Sequence, residues 1–104
     1  MRKVAIVAAA SRQEEIMLDT EVEMMIPLIS EVRNKVGLDQ SELGFTCSGS
    51  SDFLAGQAFS FVMTLDAVGP VPPIVESHVE MDGAWALYEA WVKFQMGVID
   101  TAIV

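Results

Sequence analysis

The sequence predicts an α/β fold in which a mostly parallel sheet carries helices on both faces. Short apolar runs rich in β-branched residues alternate with segments whose apolar residues recur at helical spacing. Capping residues bound the helical segments, and stretches rich in Ser, Gly or Pro separate the elements. The predicted order is β-α-β-α-β-α-β over 104 residues, which is one small domain or part of a larger one.

The four predicted strands lie at residues 3–8, 43–47, 74–79 and 100–104. The first belongs to KVAIVAAA, residues 3–10, an apolar run typical of a buried strand. Right-handed crossovers favour the strand order 3-2-1-4, which places the first strand centrally. The third strand, IVESHV, is the most polar, so we expect it at an edge of the sheet or at an interface.

The first predicted helix covers residues 22–36. Thr20 and Glu23 fit a capping box at its start, and Gly37 suits the position just after its end. Pro27 lies inside the pattern, which predicts either a kink or a later start that puts the proline in the first turn.

Two further helices complete the predicted pattern. One runs from Leu54 to Val68 and stops at GPVPP, because three prolines cannot continue it. The last covers residues 83–96, with Asp82 as its N-cap. It is apolar on nearly all sides, so we expect it to be buried in a deep core against the sheet.

The composition is unusually apolar for a small chain, at 52% hydrophobic residues. A domain of this size buries only a modest share of its surface, so some of these residues are expected to face another chain or further sequence. The last predicted strand stops at Val104 with no loop behind it. We therefore expect residues 1–104 to be the N-terminal, truncated part of a larger domain.

The net charge of −9 argues against a nucleic-acid partner and disfavours an anionic membrane surface. No apolar run approaches the roughly 20 residues of a membrane-spanning helix, and the N-terminus does not resemble a signal peptide. We therefore expect a cytoplasmic protein. One cysteine, Cys47, and one histidine, His78, exclude an internal disulfide and a Cys/His zinc site.

Three stretches in this order, VAIVAAASR, GLDQSELGFTCSG and ESHVEMDGAWALYEAWVKFQMGVIDTAIV, resemble the N-terminal quarter of the thiolase superfamily. The most similar branch is that of the thiolase-like lipid-transfer proteins related to the thiolase part of sterol carrier protein X, often described as acetyl-CoA acetyltransferases. The stretch SHVEMDGAWALYEA is the most specific element. The resemblance covers the whole chain and implies the N-terminal portion of a thiolase fold.

In thiolases, the segment that HVEMDGAWAL resembles holds the acyl-accepting cysteine, at the start of a helix whose dipole favours a thiolate. The resemblance places that position at Met81. A thioether has no proton to lose and forms no thioester. The resemblance therefore implies that cysteine-based thiolysis has been lost. Met81 either fills space or contacts the substrate, since an adaptable thioether suits both roles.

His78 stands at a strand end beside this turn, where it is a candidate to orient a substrate carbonyl or to move a proton. Its alternative role is structural, with a bond to a backbone carbonyl or a place in a dimer interface.

Cys47 is either a nucleophile or a buried structural thiol. Glu80 and Asp82 are candidate supporting acids, although helix capping explains Asp82. CSGSS is not the G-x-S-x-G elbow, and no Lys or Arg stands near it to bind phosphate.

The resemblance implies a protein that, when complete, acts on acyl-CoA or sterol-CoA thioesters as substrates, with no covalently bound cofactor. Retro-aldol cleavage of a β-hydroxyacyl-CoA, such as a sterol side chain, needs no acyl-enzyme, and its acid and base would lie in later sequence. The alternatives are an acyltransferase with another nucleophile and a non-catalytic lipid-binding subunit. The resemblance also implies a homodimer joined near strand 74–79, or a complex with a small subunit bearing an OB fold and a zinc ribbon.

Overall fold

The computed structural model describes all 104 residues and contains four α-helices, one 3-10 turn and two strands. In chain order these are α1 (Glu21–Val36), the 3-10 turn (Gln40–Glu42), β1 (Thr46–Gly49), α2 (Asp52–Ala55), α3 (Val62–Val68), β2 (Glu76–Val79) and α4 (Gly83–Gln95).

The sheet is parallel, and β1 lies at its centre. Strands β1 and β2 pair with Thr46 opposite Glu76 and Ser48 opposite His78. On the other side of β1, Ile103 forms a parallel bridge to Thr46, with its amide 3.0 Å from the Phe45 carbonyl oxygen. This arrangement confirms the α/β class and the edge position predicted for strand 74–79. The fourth predicted strand, 100–104, is reduced to this single bridge.

The predicted first strand is wrong, and so is the order 3-2-1-4. Residues 3–8 are extended and exposed but pair with no other strand. An apolar run becomes a strand only where a neighbour takes up its backbone hydrogen bonds, and none lies beside it. The segment is attached near its ends, by the Arg2 ion pair with Asp100 at 2.6 Å and by Lys35 Nζ donating to the Ala9 carbonyl oxygen. The crossover rule specifies handedness but not which strand is central.

The predicted helix from Leu54 to Val68 is also wrong, because the chain divides it into α2 and α3. Gly56, at φ 72°, ends α2 in the left-handed region. Phe59 then adopts φ 58°, which a continuous helix does not contain. The Asp52 carboxylate accepts hydrogen bonds from the Phe59 and Ser60 amides, at 2.9 and 3.0 Å, and so stabilises a loop in place of helix.

The core is small and lies between α4 and β1. Only 9 of the 104 residues are buried, and five of them form one apolar cluster: Phe45, Cys47, Ala86, Ala90 and Ile99. Ala86 and Ala90 lie on the face of α4 that packs on the sheet, whereas Trp85 and Tyr88 are half-exposed. The helix begins at the predicted Gly83 and ends one residue before the predicted Met96, but the expectation that it is buried on nearly all sides is wrong. The helix contacts the sheet through the face that carries Ala86 and Ala90, so its other faces remain at least partly exposed.

Helix α1 packs against α3, where the Thr64 hydroxyl lies 3.9 Å from the Met25 sulfur. The predicted capping box is confirmed, since the Thr20 hydroxyl accepts from the Glu23 amide and the Glu23 carboxylate accepts from the Thr20 amide. Gly37 ends the helix at φ 64°, as its position predicts. Pro27 lies within the helix, which begins at Glu21 rather than one turn later.

Candidate functional site

The candidate site lies where β1 and β2 end side by side. Ligands of open parallel sheets bind beyond the carboxyl ends of the strands, because loops and helix N-termini meet there. Beyond β1 the chain continues into Ser50 and Ser51, and beyond β2 it bends through Met81 to the start of α4. The geometry therefore places a strand–turn–helix unit directly beside a serine-rich turn.

Gly49 allows the end of β1 to approach the start of α4 closely. A Cβ at this position would overlap the carbonyl group of Asp82 and would lie 2.8 Å from the Gly83 nitrogen. Backbone atoms cannot move aside as a flexible side chain can, so only glycine fits between β1 and the start of α4. Gly49 thus determines how near the serine-rich turn lies to the turn that holds Met81.

Met81 lies in the bend between β2 and α4 and is 56% exposed. Asp82 follows it and caps the helix: its Oδ1 accepts hydrogen bonds from the amides of Ala84 and Trp85, at 3.0 and 3.2 Å. The predicted capping role of Asp82 is confirmed. Because a carboxylate already occupies the helix N-terminus, the helix dipole there is partly compensated and is a poorer site for another anion.

His78 is exposed on β2, opposite Ser48 of β1. Its ring stacks flat on the ring of Phe61, with 3.7 Å between centroids and 4° between planes. Phe61 comes from the segment between α2 and α3, so this contact ties that segment to the sheet edge. The sequence did not indicate Phe61, because 17 residues separate it from its partner and only the fold brings them together.

Cys47 is fully buried in the core cluster beneath the site. Burial raises the pKa of the Cys47 thiol, and the nearby carboxylates of Glu89 and Glu76 raise it further, whereas Lys93 acts in the opposite direction. A raised pKa keeps the thiol protonated at neutral pH, so it is a poor nucleophile. Of the two roles considered for Cys47, the structure supports the structural one.

A polar network next to the site was not evident in the sequence. Ser60 Oγ donates to Asp52 Oδ1 at 2.9 Å and lies 3.0 Å from Ser50 Oγ. Glu80 accepts a hydrogen bond from the Asp52 amide, so this acid joins β2 to α2. The hydrogen bonds from Ser60 and Phe59 lower the pKa of the Asp52 carboxyl. The only local signal was Ser51, which caps α2.

The exposed face of α4 begins next to Met81 and is aromatic. A shallow depression of about 400 Å³ is lined by Ala84, Trp85 and Tyr88. The Trp85 and Tyr88 rings meet edge to face at 6.1 Å, and Tyr88 stacks on Trp91 at 5.9 Å. An apolar ligand beside Met81 would find an apolar surface here.

The charged side chains of residues 36–92 are all Asp or Glu, since this stretch contains no Lys or Arg. The phosphates of a nucleotide would therefore find no cationic side chain from this stretch. No three His, Cys, Asp or Glu side chains come together where they would hold a metal ion. This surface therefore does not suit an anionic part of a ligand.

Comparisons with protein families, with curated proteins and with solved structures found no match to this chain. No helix of the structure combines the length and the apolar character that crossing a membrane requires.

Proposed function

We propose that this chain forms part of a thiolase-like protein that cleaves a carbon–carbon bond of a β-hydroxyacyl-CoA thioester. The observation that carries the proposal is Met81. It lies in a strand–turn–helix unit at the carboxyl end of a parallel sheet, at the position where the resemblance to thiolases puts the acyl-accepting cysteine. A thioether cannot accept an acyl group, so a reaction without an acyl-enzyme suits this site better.

Retro-aldol cleavage meets this requirement. A base takes the proton of the β-hydroxyl group, the Cα–Cβ bond breaks, and its electron pair passes to the thioester as an enolate. Protonation of Cα then gives a shorter acyl-CoA, and the β-carbon leaves as a carbonyl compound. Exposed His78 is the candidate from this chain to hold the thioester carbonyl or to move a proton. The proposal assigns the remaining acid and base to sequence beyond these residues.

The surface near Met81 supports an acyl or sterol moiety as the part of the substrate bound here. The aromatic side chains of Trp85 and Tyr88 offer an apolar face. Since no Lys or Arg occurs in residues 36–92, the coenzyme A phosphates would bind to other residues.

A non-catalytic carrier of acyl-CoA or sterol is the second candidate, and the same aromatic face favours it. An acyltransferase is less well supported, because Cys47, the only thiol of the chain, is buried and has a raised pKa. For assembly we propose a homodimer that meets along β2, or a complex with a small subunit bearing an OB fold and a zinc ribbon. The unpaired edge of β2 supports a partner there.

The test uses the protein expressed from its complete reading frame and a β-hydroxyacyl-CoA with a tertiary alcohol, with products identified by mass spectrometry. A ketone and a shorter acyl-CoA in equal amounts would support retro-aldol cleavage. Acyl exchange with release of free coenzyme A thiol would support the transferase instead. Saturable binding without either product would leave the carrier, and neither binding nor products would refute all three.

A further inference from the structure

The segment of residues 52–59 comprises the short helix α2 and the turn that follows it, and it is here called the 52–59 loop. It exposes three large apolar side chains. Phe53 is 90% exposed, Leu54 83% and Phe59 68%. Single apolar residues on a surface are common, but a group on one short loop marks a contact surface. The Phe59 amide donates to Asp52 Oδ2 at 2.9 Å, so the two ends of the loop are held together.

Hydrogen bonds hold the 52–59 loop in a defined conformation. Asp52 also accepts hydrogen bonds from the Ser60 amide and hydroxyl, and the Glu80 carboxylate accepts from the Asp52 amide. Phe59 adopts φ 58°, a conformation that is costly for a bulky side chain. The hydrogen bonds from Phe59 and Ser60 to Asp52 stabilise this conformation, and the ring it carries remains largely exposed. Strain of this kind persists where the surrounding structure enforces it, and it is concentrated at functional sites.

The charges next to the loop are acidic. Gln57 donates a hydrogen bond to Glu21, and Glu80 lies against Asp52, so carboxylates flank the apolar side chains. No Lys or Arg occurs in residues 36–92. A complementary occupant therefore presents apolar side chains with positive charges at the periphery.

A second copy of this chain does not fit that description. Four of its six basic side chains, those of Arg2, Arg12, Lys35 and Lys93, are already held in ion pairs. Two copies that met at this loop would also bring the Glu21 and Glu80 carboxylates of both chains close together, and these would repel each other. The charge pattern favours a different chain as the occupant.

We propose that Phe53, Leu54 and Phe59 of the 52–59 loop dock a protein partner whose apolar side chains are flanked by Lys or Arg. This surface does not depend on the reaction proposed above. Phe53 and Phe59 anchor the partner, and the carboxylates of Glu21 and Glu80 select its charge.

The probe is a 14-residue amphipathic helix of Leu and Lys, titrated into the complete protein, with a Leu/Glu helix of the same pattern for comparison. The Leu/Lys helix should bind at least tenfold more tightly. Phe53→Ser and Phe59→Gly should each weaken its binding at least tenfold, and Glu21→Gln with Glu80→Gln should weaken it severalfold and reduce its salt dependence. Leu18→Ser, a matched control at a residue that is 90% exposed outside the loop, should leave binding unchanged.

Phe59→Gly also tests folding. Glycine accepts φ 58° without strain, which offsets the loss of the edge-to-face contact between Phe59 and Phe61, so the thermal midpoint should change little. A large fall would mean that Phe59 is packed inside the complete protein, and the proposal would be wrong. It would also be wrong if Leu18→Ser weakened binding as much as the loop variants, or if those variants had no effect. Loop-dependent binding to phosphatidylcholine vesicles would indicate a membrane instead, and loop-dependent self-association would indicate a second copy.

Discussion

Asp52 organises more of the site than any other single side chain. Its carboxylate holds the Phe59 amide, the Ser60 amide and the Ser60 hydroxyl, while its own amide donates to Glu80. These bonds turn the chain out of the helix begun at α2 and link it to the end of β2. One carboxylate thus determines both the loop conformation and the surroundings of the strand ends.

Asp52 should make the free energy of unfolding depend on pH in the acidic range. The hydrogen bonds from Ser60 and Phe59 lower the pKa of its carboxyl in the folded protein. Its contribution is therefore present above the unfolded pKa of about 3.9 and is lost as pH falls through the folded value. The free energy of unfolding, measured by denaturant titration from pH 7 to 2, should decrease less at low pH in Asp52→Asn than in the wild type. Ser60→Ala keeps both amide donors, so it should retain most of the decrease. An equal decrease in Asp52→Asn and the wild type would contradict this assignment.

Met81 can be tested separately for packing and for chemistry. Met81→Leu conserves volume at a half-exposed position and should change the free energy of unfolding by less than about 1.5 kcal/mol. Turnover of the complete protein should persist if the thioether only fills space. A large loss of turnover at unchanged stability would show that the sulfur contacts the substrate. Met81→Cys tests whether a thiol at this position accepts an acyl group, and mass spectrometry would detect the acyl adduct.

At the scale of elements, the site depends on how closely β1 approaches α4. The core side chains Ala86 and Ala90 are small, so the helix lies near the sheet, and Gly49 permits backbone contact at its N-terminus. The aromatic residues of the same helix face outward in consequence. Core packing on one side of α4 and an exposed aromatic face on the other both follow from this placement of the helix.

A pair of glycine substitutions tests this approach. Gly49→Ala forces a methyl group into the Asp82 carbonyl and should destabilise the protein by at least about 2 kcal/mol. Gly83→Ala is the matched control, because a methyl group added at Gly83 would meet nothing within 4 Å and alanine is the better helix former. It should be neutral or stabilising by up to about 1 kcal/mol. Equal unfolding midpoints for the two variants would contradict the close approach.

At the scale of the whole molecule, a small core supports a large apolar surface. Only 9 residues are buried, while the 52–59 loop, the aromatic face of α4 and residues 3–8 are largely exposed. The edge of β2 is unpaired as well. Surfaces of this kind promote association unless partners cover them, which is why assembly is central to the proposed function.

The proposed homodimer should depend on the free edge of β2. The amides of Thr46 and Ser50 donate to the carbonyls of Val75 and Val79, so the alternate residues, Glu76 and His78, direct their backbone groups outward. Glu76→Pro removes one outward amide and should convert the dimer to monomer while the fold persists. Ser77→Pro is the control, since it removes an amide that faces β1 and should unfold the sheet.

Sedimentation of the complete protein at micromolar concentration measures this outcome. A stable dimer is expected to bury well over about 2,000 Å² in total. A wild-type monomer, or a dimer that Glu76→Pro leaves intact, would exclude pairing through β2.

Local signals in the sequence determined the parts of this protein that neighbouring residues stabilise. The capping box at Thr20, the left-handed Gly37 and the Asp82 cap were all predictable, because each satisfies backbone groups within four residues of itself. The polarity of IVESHV likewise predicted an edge strand, since an edge strand has one side free of neighbours.

Only the tertiary structure decided which segments pair across long separations. Residues 3–8 have the composition of a buried strand but no neighbour, whereas Ile103 takes the place beside β1. The predicted helix from Leu54 to Val68 was broken by a carboxylate that reaches seven and eight residues ahead, beyond any helical spacing. The stacking of His78 on Phe61 arises in the same way. Strand order and side-chain networks depend on contacts between distant residues, and the free energy of those contacts is not encoded in local periodicity.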